Sequence, residues 1–80
     1  MKDPITNESI TVSIDGTAGP YIIINNSLTE RVVDLLGKRK ILLSIDEGAM
    51  TTGSGTICDV INLHGDIAPD DVQKLLDIED

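Results

Sequence analysis

The sequence predicts an α+β domain, a four-stranded, mainly antiparallel sheet with two helices on one face, in the order ββαββα. Three observations lead to this prediction. Of the 80 residues, 25 are Ile, Leu or Val, too large an aliphatic share for a disordered chain. Four short segments rich in these residues read as strands, and two others place apolar residues at helical spacing. The short connections between neighbouring strands favour hairpins.

The first two strands are predicted at residues 9–15 and 21–24. The first segment alternates polar residues with apolar ones, which is typical of a half-buried strand. The second is a continuous apolar run, so both of its faces are expected to be covered. Between them, residues 15–20 contain two glycines and a proline, which predict a turn. The apolar side of the first strand carries Ile10, Val12 and Ile14.

The first helix is predicted at residues 27–36. Ser27 and Glu30 have the spacing of a capping box, in which each side chain bonds an unpaired amide at the helix start. Gly37 fits the position just after a helix end, where a left-handed backbone is common. The apolar stripe comprises Leu28, Val32, Leu35 and Leu36.

Two further strands are predicted at residues 40–46 and 56–64, joined by a mobile loop at residues 47–55. In the third strand, Leu42 points away from the face that carries Ile41, Leu43 and Ile45. Pro69 suits the first position of a second helix. The buried stripe of this helix is predicted to comprise Val72, Leu75 and Leu76. Its solvent-exposed side is predicted to comprise Asp70, Gln73, Lys74 and Asp77.

The composition bounds the partners of the chain. It has 6 Lys and Arg against 14 Asp and Glu, a net charge of −8. Because phosphate contacts need cations, we expect no direct binding to nucleic acid or to an anionic membrane. One cysteine excludes an intrachain disulfide. We expect residues 1–8 to be a flexible N-terminal arm, residues 9–80 to be one domain, and the location to be cytoplasmic.

No residue pattern points to catalysis, a metal or a cofactor. Cys58 and His64 are the only thiol and imidazole, and they lie six positions apart on one face of one predicted strand. At about 3.3 Å per residue they stand roughly 20 Å apart, too far for a nucleophile–base pair. The glycines between residues 48 and 55 lack the lysine and the following helix of a phosphate-binding loop. We therefore expect no enzyme.

The last fifteen residues contain six acids and a single cation, Lys74. These acids either make a solubilising helix and tail or form an electrostatic surface that binds a basic protein. The acids predicted to bind such a partner are Asp66, Asp70, Asp77 and Glu79.

A second candidate surface is the face of the sheet that two helices would leave uncovered. It is expected to show Tyr21, Ile23 and Leu42, with Cys58 and Val60. Soluble monomers usually avoid a contiguous apolar patch of this kind. The sequence therefore predicts that the protein is a homodimer or is permanently bound to a partner protein.

These observations favour a small, acidic, non-enzymatic protein that binds another protein with a basic surface. One version is an inhibitor or a nucleic-acid mimic of the kind that mobile elements and phages encode. The alternative is an accessory or regulatory subunit of a larger enzyme complex.

Overall fold

The computed structural model describes residues 1–3, 7, 9–15, 19–65 and 67–78. The elements are β1 (Val12–Ser13), β2 (Tyr21–Asn25), α1 (Asn26–Lys38), β3 (Leu43–Thr51), β4 (Ile57–Leu63) and α2 (Pro69–Ile78). In this part of the chain the sheet has the order β1-β2-β4-β3, with every neighbouring pair antiparallel. This confirms the predicted α+β class, the order ββαββα and both hairpins.

The register of the strands sorts the sheet into two faces, because residues directly opposite one another share a face. Ile22 lies opposite Ile61, and Leu63 lies opposite Leu43. The buried residues of both helices join the same cluster as this set, so both helices lie on what we term the helix-covered face. The buried core comprises Met1, Ile10, Ile22, Ile24, Val32, Leu36, Ile61, Leu63, Val72 and Leu76.

β1 is shorter than the strand predicted at residues 9–15. Ile14 was expected on its buried side, yet 70% of its surface is exposed. The ladder to β2 spans Val12 and Ser13, and Ile14 lies beyond it. The residues before Val12 bond elsewhere, since Ile10 N donates to Met1 O at 2.9 Å. Of the predicted turn, residues 16–18 lie outside the described residues.

The segment expected to be a flexible arm, residues 1–8, has its first residue in the core. Only 3% of Met1 is exposed, and its backbone nitrogen donates to Leu76 O at the end of α2. Lys2 forms an antiparallel bridge with Ser9. Met1 packs because the core is small and its side chain adds apolar volume between α2 and the strands. Residues 4–6 and 8 lie outside the described part.

The start of α1 corrects the predicted capping box. Asn25 is the N-cap, and its Oδ1 accepts a hydrogen bond from Ser27 N at 3.0 Å. Ser27 therefore lies inside the helix. Asn and Ser are similarly good caps, so local sequence does not separate them. The end of β2 decides, because Asn25 is the last residue of that strand and must leave it there.

The end of α1 also differs from the prediction. Gly37 lies inside the helix, and Lys40 instead takes the left-handed backbone, with φ of 58°. Lys40 N donates to Gly37 O and Ile41 N donates to Leu36 O, the bond pattern of a Schellman motif. This later exit lets Ile41 pack against the core. The tertiary contact of Ile41 thus outweighs the strain at Lys40.

The predicted mobile loop at residues 47–55 is mostly strand. β3 continues to Thr51, and only residues 52–56 connect it to β4. The ladder shifts between Asp46, opposite Val60, and Met50, opposite Cys58. Residues 47–49 therefore form a bulge opposite Asp59. Gly48 has a φ of 61° there, which glycine adopts at little cost, so the glycine makes the bulge and does not end the strand.

Candidate protein-binding surfaces

The face of the sheet opposite the helices is apolar at its centre. Ile23 lies directly opposite Val60, and alternation places Met50 on the same face. Ile23 is 41% exposed and Met50 is 48% exposed. The run at residues 21–24 is thus covered on one face and not on both. We term this face the open face; it carries Tyr21, Ile23, Asn25, Ser44, Asp46, Met50, Cys58, Val60 and Asn62.

Polar pairs divide the open face, so the predicted apolar patch is not contiguous. Asn62 Nδ2 donates to Asp46 Oδ2 at 3.1 Å, and Ser44 Oγ lies 2.8 Å from His64 Nε2. These pairs separate Tyr21 and Ile23 from Leu42, which lies two strands away. Leu42 is 68% exposed, just before β3. The structure thus brings Tyr21 and Ile23 together and leaves Leu42 at the other sheet edge.

Cys58 was expected in the uncovered patch but is buried, with 8% of its surface exposed. It lines a cavity of about 300 Å³ together with Ile23 and Asn25 of the sheet. Asp3 and Thr11 line the same cavity. The N-terminal segment therefore lies along this end of the open face and shields the thiol.

The predicted acidic surface is part of α2. Asp70, Asp71 and Asp77 are all exposed. Asp70, Lys74 and Asp77 follow one another at helical spacing, so the cation lies on the same stripe between two of the acids. The acids of the first turn are also favoured by the helix dipole. Asp66 and Glu79, the other two acids of the prediction, lie outside the described residues.

The two predicted binding surfaces lie on opposite sides of the molecule. Tyr21 and Ile23 belong to the open face, whereas Asp70 and Asp77 belong to a helix on the helix-covered face. One flat partner surface cannot contact both sets together. The two surfaces therefore need separate tests.

Gln73 was predicted to face water, and the structure instead bonds it to the edge of the sheet. Its Oε1 accepts a hydrogen bond from Val12 N at 2.8 Å, and its Nε2 donates to Ile10 O at 3.0 Å. The side-chain amide thus occupies the place of a neighbouring strand. It closes the outer edge of β1, which a sheet must otherwise protect from unwanted pairing. Nothing in helical periodicity signals this role.

Asp59 is a buried carboxylate that sequence reasoning missed. It is 6% exposed and lies on the helix-covered face of β4. Its Oδ2 accepts a hydrogen bond from Thr29 Oγ1 at 2.6 Å, and its Oδ1 accepts one from Gly48 N at 2.8 Å. One side chain therefore ties α1 to the bulge of β3. The sequence did contain a signal for this role. Asp59 alternates with Ile61 and Leu63 along the strand, so it falls on the face that the apolar residues predict to be buried.

Tyr21 is tied to the chain before the hairpin turn. Its hydroxyl donates to Asp15 Oδ1 at 2.6 Å. This hydrogen bond raises the pKa of Tyr21 above the usual value of 10.0, with smaller contributions from burial and from the charge of Asp15. The pair fixes the ring at the rim of the open face and makes Tyr21 a bonded residue of that surface.

The structure keeps apart Cys58 and His64, the thiol and the imidazole that a nucleophile–base pair would need. Cys58 pairs with Asn25 and Met50 at one end of β4, whereas His64 bonds Ser44 beyond the other end. Within the described residues, no group of three or more His, Cys, Asp or Glu lies close enough to hold a metal ion.

None of the helices that the structure describes is long and apolar enough to cross a membrane. No family model, curated protein or solved structure matches the chain significantly.

Proposed function

We propose that this protein is a non-enzymatic binding protein whose acidic helix α2 docks on the basic surface of another protein. The observation that carries the proposal is the set of exposed acids on α2, at Asp70, Asp71 and Asp77, on a chain of net charge −8. Exposed charges add little to folding but steer association with an oppositely charged surface. An inhibitor or nucleic-acid mimic directed at a DNA- or RNA-binding enzyme is the version that uses such charges most directly.

The geometry of α2 favours recognition by charge and not by apolar burial. Val72 and Leu76 are fully buried beneath the helix, and on its outer surface the three carboxylates outnumber the one exposed cation, Lys74, and the one exposed large apolar side chain, Ile78. The helix is also held in place, because Gln73 bonds the edge of the sheet and Leu76 O accepts from the nitrogen of Met1. A rigid helix presents its charges at fixed spacing, which lowers the entropy cost of binding.

The test compares the wild type with two charge-matched variants. The first carries Asp70→Asn and Asp77→Asn, exposed acids of α2; the control carries Glu30→Gln and Asp34→Asn, exposed acids of α1. Each immobilised protein is used to capture partners from an extract of the source cell at low and at moderate salt. Captured proteins are identified and their direct affinities are then measured with purified material.

We expect a protein with a basic surface to bind the wild type and the α1 control, and to bind the α2 variant at least about tenfold more weakly. Duplex DNA or RNA should compete with the wild type if the protein is a nucleic-acid mimic. A direct partner that binds all three proteins equally, with no salt dependence, would overturn the proposal.

The second candidate function is an accessory or regulatory subunit of an enzyme complex. Ile23 and Met50, exposed on the open face, favour it, because a standing partner would bury them. Ile23→Ser and Met50→Ser should then release an enzyme subunit whose binding is insensitive to salt. Binding that survives both changes argues against this alternative.

A further inference from the structure

The two edges of the sheet differ. At β1, the outward Val12 N and Ile10 O are bonded by Gln73. At the opposite end of the sheet, β3 pairs with β4 alone in the described sheet. β3 is regular from Leu43 to Asp46, before its bulge, so this part of the strand offers an edge for pairing with another strand.

The helices leave the core face of β3 incompletely covered. α1 packs mainly on β2 and β4, and α2 packs on β1. Ile61 and Leu63 of β4 are therefore almost fully buried, at 0% and 3% exposed. Their direct neighbours on β3, Ile45 and Leu43, are only half-buried. A further strand beside β3 would complete this side of the core.

The hydrogen-bond pattern identifies the backbone groups that point out of the sheet. His64 N donates to Leu42 O at 2.9 Å, so these two residues form a hydrogen-bonded pair of the antiparallel ladder. Because such pairs alternate, the neighbouring pair of Leu43 and Leu63 is not bonded to itself. Consistently, Leu63 N donates to Pro20 O on its other side. The N–H and C=O of Leu43 and Ile45 therefore point outward.

We propose that residues 41–45, the start of β3 and the two residues before it, pair with the same segment of a second copy of this chain, antiparallel, with the two-fold axis at Leu43. The two sheets of four strands then join into one of eight. Each Leu43 donates to and accepts from Leu43 of the second copy. Ile45 lies opposite Ile41 of the second copy, on the core face, so each copy covers the half-buried residues of the other.

The charges of this segment complement themselves in that register. Arg39 and Lys40 precede the apolar residues, and Asp46 and Glu47 follow them. Antiparallel pairing about Leu43 brings the Lys40 end of one copy toward Asp46 of the second copy, and Arg39 toward Glu47. Arg39 is the C-cap of α1 and Lys40 has a left-handed backbone, so both lie outside the extended ladder and make these contacts through their long side chains. All four residues are exposed.

Neighbouring registers do not fit. A shift of one residue brings Ser44 to the axis, and the backbone groups of Ser44 point toward β4. The next shift brings Ile45 to the axis, where Glu47 lies opposite Leu43 and no cation faces an acid. The net charge of −8 opposes association, but at physiological salt this repulsion is screened beyond about 8 Å, while close pairs persist. Charge and backbone geometry thus select one partner and one register.

A charge-swap experiment tests the proposal. One variant carries Arg39→Glu and Lys40→Glu, and the other carries Asp46→Lys and Glu47→Lys. Light scattering after gel filtration and sedimentation should show a wild-type dimer. Each variant alone should be monomeric or dimerise at least about tenfold more weakly, because like charges now face each other. An equal mixture of the two should form a heterodimer, because opposite charges face each other again.

A cross-link tests the register. In a Cys58→Ser background, Leu43→Cys places a thiol at the axis, where directly opposite Cα atoms are about 5.5 Å apart and a disulfide can form. Ile57→Cys is the matched control, since Ile57 is exposed on β4 away from the axis. Leu43→Cys should give a covalent dimer on mild oxidation, and the control should not.

Three outcomes overturn the proposal: a wild type that stays monomeric at high protein concentration, a mixture of folded charge variants that stays monomeric, or a dimer that cross-links at Ile57→Cys and not at Leu43→Cys. Circular dichroism establishes that each variant is folded. The acids of α2 lie outside this interface. A negative result here therefore leaves the proposed function untouched, and a partner that does not need α2 leaves this dimer untouched.

Discussion

Gln73 Oε1 accepts a hydrogen bond from Val12 N at 2.8 Å, and this contact joins α2 to the edge strand β1. The same amide donates through Nε2 to Ile10 O and to Asp77 Oδ1. A side chain of a helix thereby supplies the pairing that a further strand would give. The arrangement explains how a strand as short as β1 is held and why its edge is closed.

Removing this amide should weaken the fold and open the edge. We expect Gln73→Ala to lower the free energy of unfolding by about 1–2 kcal/mol, because two backbone groups lose their partners. Urea denaturation measures this. Light scattering on heating should show more aggregation, because β1 then presents an open edge. Lys74→Ala, the neighbouring exposed position, should change stability by less than about 0.5 kcal/mol; equal effects of the two would contradict the role of Gln73.

Removing the Asp59 carboxylate should lower the free energy of unfolding more than removing the Gln73 amide. Asp59→Ala leaves Gly48 N and Thr29 Oγ1 without their acceptor, in a site that is 6% exposed, so we expect a loss of about 2–4 kcal/mol. Asp59→Asn should cost less, because its amide oxygen still accepts from Gly48 and its amide nitrogen can donate to the hydroxyl of Thr29. Asp34→Asn, an exposed acid of α1, is the control. A smaller loss for Asp59→Ala than for Asp59→Asn would contradict this account.

The end of α1 offers two stabilising changes. Gly37→Ala should raise stability by about 0.5–1 kcal/mol, because Gly37 is inside the helix and a Cβ there meets no atom within 4 Å apart from its chain neighbours and the nearby backbone of its own helix. Lys40→Gly should raise it by roughly 1 kcal/mol by relieving a left-handed backbone. Thermal unfolding at low protein concentration keeps association out of the comparison. Destabilisation by Lys40→Gly would mean that the side chain makes a contact that outweighs the strain.

The titration of Tyr21 reports its bond to Asp15. The pKa of Tyr21 is raised above 10.0, and this hydrogen bond is the largest cause. The phenolate should therefore form at a higher pH than in a free tyrosine. The bond stabilises the fold fully below the unfolded pKa of about 10, and this contribution is lost as the pH rises through the folded value. Asp15→Asn should lower the pKa toward 10. Tyr21 is the only aromatic residue, so ultraviolet absorbance follows it alone; identical curves for both proteins would contradict the assignment.

The acids of α2 should matter for binding and little for folding. Asp70→Asn and Asp77→Asn together should shift the melting temperature only slightly, because exposed charges contribute on the order of 0.5 kcal/mol each. Association with a basic partner should slow, most strongly at low salt. Stopped-flow or surface-based kinetics at several salt concentrations measure the rate. If the variant associates with the partner at the wild-type rate and with the same salt dependence, the partner binds another surface. The acids of α2 would then serve solubility.

The sequence by itself determined the class and order of the elements. Alternation and helical spacing are local properties, and they located β2, β4 and the stripe of Val72 and Leu76, because a chain this small has one core and each element must turn its apolar side toward it. Charge also follows from composition alone. The exposed acids of α2 and the open-face position of Ile23 could therefore be predicted.

Only the tertiary structure decided which groups meet. Asn25 replaces Ser27 as the cap because β2 ends there, and Lys40 takes the left-handed position because Ile41 reaches the core. Gln73 reaches β1, and Asp59 reaches the bulge at Gly48. The contact of Gln73 with Val12 joins residues 61 positions apart in the chain, and the contact of Asp59 with Gly48 joins residues 11 positions apart. Periodicity carries no information about such pairs, because the free energy that selects them comes from unpaired backbone groups and uncovered apolar surface that exist only once the sheet and helices have assembled.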